Sequence, residues 1–295
     1  ITMRTSSLVP FVATLVMLSL AIFSFGEGNG QVKQELKSYF DNLVDQGKFS
    51  GSVLIAKEGK MLLKKGFGKA DYVLDKANNP ETTFAIASMS KAFAAVSLLM
   101  LEERGLLSVD DKLSKYLPDY PNADNITLHQ LMNMSAGIDN FFDAPNLWAG
   151  NYDRYHEPFE LMDYFADQPQ VHEEGTAWAY CNSCYVLLGY VLEQVSGMTF
   201  RDFIQENIIG PLNMDSTSYD PDTVEFMNKR AVGYDNLSTM PPPESIFLHP
   251  TVAYVAGGIF SNVTDMYKWD RALYTDQLVS KDTLDRIFTP GHGNY

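Results

Sequence analysis

The chain is poor in the residues that build several common kinds of site. It has only two cysteines, Cys181 and Cys184, in 295 residues. That excludes a disulfide-rich scaffold and a cysteine-built zinc site. The five histidines, at 129, 156, 172, 249 and 292, form no His-x-His or His-x-x-x-His pair. A zinc hydrolase therefore has no support. Basic residues are scarce, with 22 Lys and Arg against 37 Asp and Glu, a net charge of −15 and a pI of about 4.6. No basic cluster stands out from this background, which argues against nucleic acid as a partner. No repeat or long low-complexity tract is present, and nothing in the sequence signals an oligomeric state.

One long apolar run is present, from Leu8 to Phe25, behind Met3-Arg4, whose arginine supplies a short positive region. With small residues at Ser24 and Gly26, residues 1–26 read as a secretory signal peptide. An uncleaved N-terminal membrane anchor is the alternative, since the run is close to spanning length. Either way the rest of the chain is expected to be exported, periplasmic or extracellular. Membrane contact is expected only through this segment. An exported chain could oxidise Cys181 and Cys184, whose spacing matches a redox Cys-x-x-Cys pair. No thioredoxin-like strand–loop–helix context surrounds them, so the default expectation is two buried free thiols.

From residue 31 onward the periodicity predicts many helices and a small antiparallel sheet, an α+β fold. Residues 31–46 carry apolar residues on one helical face, ended by Gly47. Residues 51–57 and 60–65 read as strands joined by a Glu58-Gly59 hairpin. A loop is expected from Ala70 to Asn79, then a short strand at 82–85. Residues 92–101 are apolar nearly all round, the mark of a helix surrounded by protein, with Gly105 as its cap. Short helices are expected near 108–117, 127–134 and 158–167, and longer ones at 183–195, 199–209 and 264–273. Ser280 caps a last one. Gly257 to Ser261 reads as a turn, and Phe141 to His156 as an aromatic pocket rim.

The chemistry centres on Ser88 and Lys91. Residues three apart share a helix face, so the Lys91 amine can reach the Ser88 hydroxyl. A lysine in an apolar site can lose its charge and serve as base for a serine nucleophile. Alone the pattern is weak, since about one Ser-x-x-Lys match is expected by chance. On its own it also reads as a helix cap beside a surface lysine. Tyr180-Cys-Asn182 opens another helix and puts a phenol and a carboxamide on one side of an extended segment. The phenol could relay a proton if a nearby lysine lowered its pKa. A buried Tyr and an Asn cap is the plainer reading.

Together the segments resemble the serine beta-lactamase and penicillin-binding-protein superfamily, closest to its class C-like branch. The matching pieces are Phe49-Ser-Gly-Ser-Val-Leu-Ile-Ala-Lys57, Phe84-Ala-Ile-Ala-Ser-Met-Ser-Lys91, Tyr116-Leu-Pro118 and Thr127 to Gly137. They continue with Tyr180-Cys-Asn182 running into Leu187-Leu-Gly189, Pro211-Leu-Asn-Met214 and Ala256-Gly-Gly258.

The resemblance implies a beta-lactamase/transpeptidase-like catalytic domain over residues 31–295. An antiparallel sheet flanked by helices would pack on an all-helical subdomain, with the site between them. It implies that Ser88 is acylated, that Lys91 and Tyr180 share the work of base and acid, and that Asn182 holds the substrate amide. The Ser88 N–H would form half of the oxyanion hole. No metal or organic cofactor is implied. The substrate would be a beta-lactam, a D-amino-acid peptide of peptidoglycan, or a small ester. The alternatives are a penicillin-recognising sensor that is acylated without turnover and, more distantly, a thiol oxidoreductase using Cys181 and Cys184.

Three departures stand out. The family's third motif is expected after Gly291-His-Gly-Asn-Tyr295, so the C-terminal strands and helix and the other oxyanion donor are expected to lie beyond this sequence. The 295-residue chain alone is accordingly expected to be inactive and unstable, and the complete product active. Met134 replaces the branch's His, a packing change under the site. Glu157 and Glu160 lack the Asn that would make either a class A deacylation base, which leaves deacylation to Tyr180 and Lys91.

Overall fold

The computed structural model describes residues 28–219 and 228–291. The signal-or-anchor segment 1–26 and the expected third-motif lead-in at His292 to Tyr295 lie outside them. Among the described residues no helix is long and apolar enough to cross a membrane.

Helix α1 spans Gly28–Asp45. Gly47, at φ +63, ends it, and the Lys48 N–H reaches back to the Leu43 carbonyl, a Schellman closure. Strands β1 (Gly51–Lys57) and β2 (Lys60–Phe67) pair antiparallel. Glu58 and Gly59 both have positive φ, as a tight two-residue hairpin requires. Phe40 of α1 sits 5.3 Å from the Phe49 ring and 5.1 Å from Phe67, which docks the helix on the hairpin.

The expected loop at 70–79 instead contains β3 (Lys69–Asp71) paired with β4 (Lys76–Ala77). Strands this short show no alternation for the sequence to reveal. Strand β5 (Phe84–Ala85) leads through a 3₁₀ turn at Ala87–Met89 into α2 (Ser90–Glu103). Gly105 closes α2 in a second Schellman arrangement, with the Leu106 N–H bonded to the Leu101 carbonyl.

A helical region follows. It holds α3 (Leu128–Met132), α4 (Pro145–Trp148), α5 (Asn182–Ser196) and α6 (Phe200–Ile204). Thr127 and Gln130 form a capping box on α3. The stretches expected as short helices near 108–117 and 158–167 are 3₁₀ turns at Leu113–Lys115 and Pro158–Tyr164. The helix expected over 199–209 is α6 followed by a π turn to Ile209.

Strand β6 is Ser218–Tyr219, α7 is Pro250–Gly257 and β7 is Ile259–Ser261. The stretch at 257–261 expected as a turn is thus mostly a strand, and it is the middle one of the order β5-β7-β6, antiparallel on both sides. All three β7 residues are buried, so the period-2 signal of a half-buried strand is lost. Helices α8 (Val263–Ala272) and α9 (Lys281–Ile287) complete the described chain.

The core lies where α2, α5 and α7 pack together. Phe93 of α2 stacks on Trp269 of α8 at 3.9 Å. Gly189 of α5 lets the buried Tyr254 ring come close: a Cβ there would meet Tyr254 Cε1 at 2.4 Å. Tyr254 itself has φ +44 and ψ −137 and kinks α7. Because that ring is fully enclosed, Gly189→Ala should cost about 1–3 kcal/mol of stability by overpacking. Chemical denaturation measures it. A change under about 0.5 kcal/mol would mean that the ring can step aside.

Candidate active site

Ser88 sits in the turn between β5 and α2, and two contacts pin that junction to β7. The Ile86 N–H donates to the Ile259 carbonyl at 2.9 Å, and the Ile259 N–H donates to Ser90 Oγ at 3.2 Å. Ala87 takes φ +47, which turns the chain sharply and leaves the Ser88 side chain exposed. The Met89 N–H bonds back to Ile86. The two amides before it, those of Ala87 and Ser88, have no acceptor within the turn.

Lys91 follows in the first turn of α2, only 1% exposed. Its Nζ lies 3.1 Å from Ser88 Oγ, 2.8 Å from Asn182 Oδ1 and 2.8 Å from the Ala256 carbonyl. The rings of Tyr180 and Tyr185 stand 5.0 and 5.5 Å away. Burial pulls its pKa from 10.5 down to about 7, because an ammonium loses most of its hydration there. A neutral amine has two N–H groups and one lone pair. With Asn182 and Ala256 accepting the two N–H groups, the lone pair is left for the Ser88 hydroxyl.

Tyr180 and Asn182 come from the entrance to α5. The Tyr180 hydroxyl donates to Ser88 Oγ at 2.6 Å, and the ring is 40% exposed. Its pKa does not fall beside Lys91, as the relay idea required. Burial raises it, with the Ser88 hydrogen bond opposing in part. A lysine whose pKa is brought down to about 7 has already lost its charge at the higher pH where a phenol ionises, so it cannot stabilise the phenolate. Asn182 Nδ2 donates to Asn140 Oδ1 at 3.0 Å while its Oδ1 accepts from Lys91. The four residues singled out in the sequence, Ser88, Lys91, Tyr180 and Asn182, therefore share one hydrogen-bonded cluster.

Two further members had no side-chain signal or a weak one. Ala256 contributes only its carbonyl, held by the kinked α7. Asn140 lies just past the Thr127–Gly137 segment. Met134 is fully buried, and its carbonyl accepts from the Ala179 N–H at 3.1 Å. It thus packs beneath the segment that carries Tyr180. Glu157 and Glu160 form the capping box of the 3₁₀ turn at Pro158–Tyr164.

The thiol expectation is corrected. Cys181 and Cys184 form a disulfide, with both sulfurs buried. The bond is possible because an extended residue followed by one helical turn brings the two Cα atoms to 5.3 Å, inside the range a disulfide spans. Among the described residues no group of His, Cys, Asp and Glu is arranged to hold a metal. A cavity of about 330 Å³ opens over Ser88, walled by Phe142, Asn182, Leu248, Ala256, Gly258 and Phe260 among others.

The beta-lactamase family profile matches residues 36–295. The chain belongs to the beta-lactamase family. It is 34% identical over 254 residues to PbpX of Bacillus subtilis, covering 85% of this chain and 61% of that protein. The crystal structure of a penicillin-binding protein from Bacillus halodurans superposes with a TM-score of 0.74 at 28% identity, covering 85% of this chain and 77% of that one. A D-stereospecific amidohydrolase from Streptomyces gives 0.62 at 26% identity, over 71% and 66%. The chain spans about three-fifths of the length of the curated relatives it matches. The fold is beta-lactamase/transpeptidase-like, and the family is one of serine hydrolase-like proteins.

Lys91 yields a prediction about stability. The unfolded chain keeps this lysine protonated up to about 10.5, the folded chain only to about 7. Between those values the unfolded state binds more protons, so this group's contribution to stability rises with pH. Urea denaturation of wild type and Lys91→Met at about pH 7 and about pH 10 should show the balance moving toward wild type at the higher pH. An unchanged difference would mean that Lys91 stays charged in the fold.

Proposed function

We propose that the protein is an exported serine hydrolase that works through a covalent acyl-enzyme on Ser88. The observation that carries this reading is the Lys91 amine, buried, depressed in pKa and 3.1 Å from Ser88 Oγ. In the first step Ser88 Oγ bonds to the substrate carbonyl carbon as its proton passes to neutral Lys91. The carbonyl oxygen becomes an oxyanion, for which the Ser88 N–H is the proposed donor. When the tetrahedral adduct collapses, the leaving group departs with a proton from Lys91 or Tyr180. Water then adds to the ester as neutral Lys91 takes its proton, and collapse of that adduct breaks the bond to Ser88 Oγ, which takes a proton from Tyr180 or Lys91 as the acid product leaves. Asn182 keeps a lone pair and an N–H beyond its bonds to Lys91 and Asn140, and these hold the substrate amide.

The substrate is proposed to be a beta-lactam, a D-amino-acid peptide of the cell wall, or a small ester. The names of the relatives support the class: a penicillin-binding protein and a D-stereospecific amidohydrolase. Export is supported by the apolar run at residues 8–25 and by the Cys181–Cys184 disulfide, which suits an oxidising compartment. One observation favours a second reading, a penicillin-recognising protein acylated without turnover. The raised Tyr180 pKa keeps the phenol protonated and leaves Lys91 alone to take the proton of water, which would slow the second step.

Intact mass of the full-length protein, incubated with a penicillin or with an activated ester, tests this. Wild type should form a one-to-one adduct, and Ser88→Ala none. An adduct that decays means a hydrolase, and one that persists means the sensor. Absence of any adduct on wild type would overturn the acyl-enzyme. Tyr180→Phe should slow decay of the adduct by about 10²-fold or more, and normal decay would remove Tyr180 from the mechanism.

A further inference from the structure

Resting on the roles proposed for Tyr180 and Asn182, we propose that the Cys181–Cys184 disulfide is a positioning clamp of the active site. It holds the Tyr180–Asn182 segment in register with Lys91 and Ser88, and its reduction loosens that segment and slows Ser88 acylation.

The bond's place in the chain points to a local purpose. It closes a ring of four residues. The entropy that a cross-link removes from the unfolded chain grows with loop length, so this ring sits at the weak end of the scale. Nor does it tie together distant parts of the fold. What it does fix is the change of direction between Cys181, extended at φ −136 and ψ 98, and the first turn of α5.

That junction carries the site. Tyr180, on one side of Cys181, donates to Ser88 Oγ at 2.6 Å. Asn182, inside the ring, accepts from Lys91 at 2.8 Å. Ser183, also inside it, donates to the Asp139 carbonyl at 2.6 Å and accepts from the Phe141 N–H at 2.9 Å. A small rotation at Cys181 would move the phenol and the carboxamide in different directions, away from one shared partner pair.

Cys181 is also an unusual cap. At the other described helices the N-cap side chains that accept a bond do so through oxygen, as at Thr127, Thr199, Asn262 and Ser280, or through the ring nitrogen of His249. At α5 the cap atom is a sulfur accepting from the Cys184 N–H, and sulfur is a weak acceptor. The covalent bond does what the hydrogen bond does poorly. Cys181 is 1% exposed and Cys184 is fully buried, so the bond is shielded from casual reduction. Reduction by a dithiol such as dithiothreitol breaks the S–S bond, forms two cysteine thiols and leaves the reagent as its own cyclic disulfide.

The test uses the full-length protein and a Cys181→Ser/Cys184→Ala variant. Serine preserves a capping oxygen for the residue-184 N–H, so the variant removes the covalent bond and keeps the cap. Two readouts are taken: amide hydrogen exchange by segment, and the rate of Ser88 acylation by an activated ester. In the variant, exchange over residues 179–184 should quicken by about tenfold or more, with α2 and the later turns of α5 unchanged. Acylation should slow by about tenfold or more. Dithiothreitol-reduced wild type should behave as the variant does.

Exchange and acylation within about twofold of wild type would overturn the clamp. So would loosening spread over the whole chain, which marks a general stabiliser. Local loosening with unchanged acylation would overturn the link to reactivity. Alkylation of both cysteines in unreduced protein would overturn the bond itself. If wild type is never acylated, the acyl-enzyme reading fails, and the exchange comparison still decides the clamp.

Discussion

Everything in the site depends on keeping one lysine amine away from water. Lys91 projects from the first turn of an apolar helix into a space closed by α5, α7 and two tyrosine rings. An ammonium buried there gives up its hydration, which is why its proton is held loosely near neutral pH. The same enclosure that depresses the pKa also supplies the geometry. Asn182 Oδ1 and the Ala256 carbonyl take two N–H groups and leave the third direction to Ser88. Removing either acceptor would leave a buried polar group unpaired and let the amine turn away.

This arrangement sets demands on distant parts of the chain. Ala256 is at the right height because α7 kinks at Tyr254, and Tyr254 fits because Gly189 offers no Cβ. Ser88 meets the amine because β7 fixes both Ile86 and Ser90 around the turn. Asn182 is aligned by Asn140 on one side and by the disulfide ring on the other. Stability and chemistry share these contacts, so a substitution at Gly189 or at the Cys181–Cys184 pair touches both.

Much of this is visible in the sequence, for reasons that can be named. The apolar run after Lys91 and the Gly105 cap mark α2, since burial on all sides and a left-handed terminator are local properties. The 3-residue spacing puts Ser88 near Lys91 by helix geometry alone. The meeting of Lys91 with Asn182 is a contact across 91 positions, and only the family resemblance brings those segments together beforehand. What stays hidden has no side-chain pattern. Strand β7 is buried on both faces, β3 and β4 are too short to alternate, and Ala256 acts through its backbone. The disulfide is hidden for a different reason, because a Cys-x-x-Cys spacing is compatible with either oxidation state.

The central claim is that Lys91 works as a neutral base beside Ser88. It is tested most directly by the rate of Ser88 acylation, by an activated ester, as a function of pH in the full-length protein. The rate should rise with pH along a limb with its midpoint near 7, the pKa to which burial brings Lys91. A midpoint near the ordinary lysine value of 10.5, or a rate independent of pH, would contradict it.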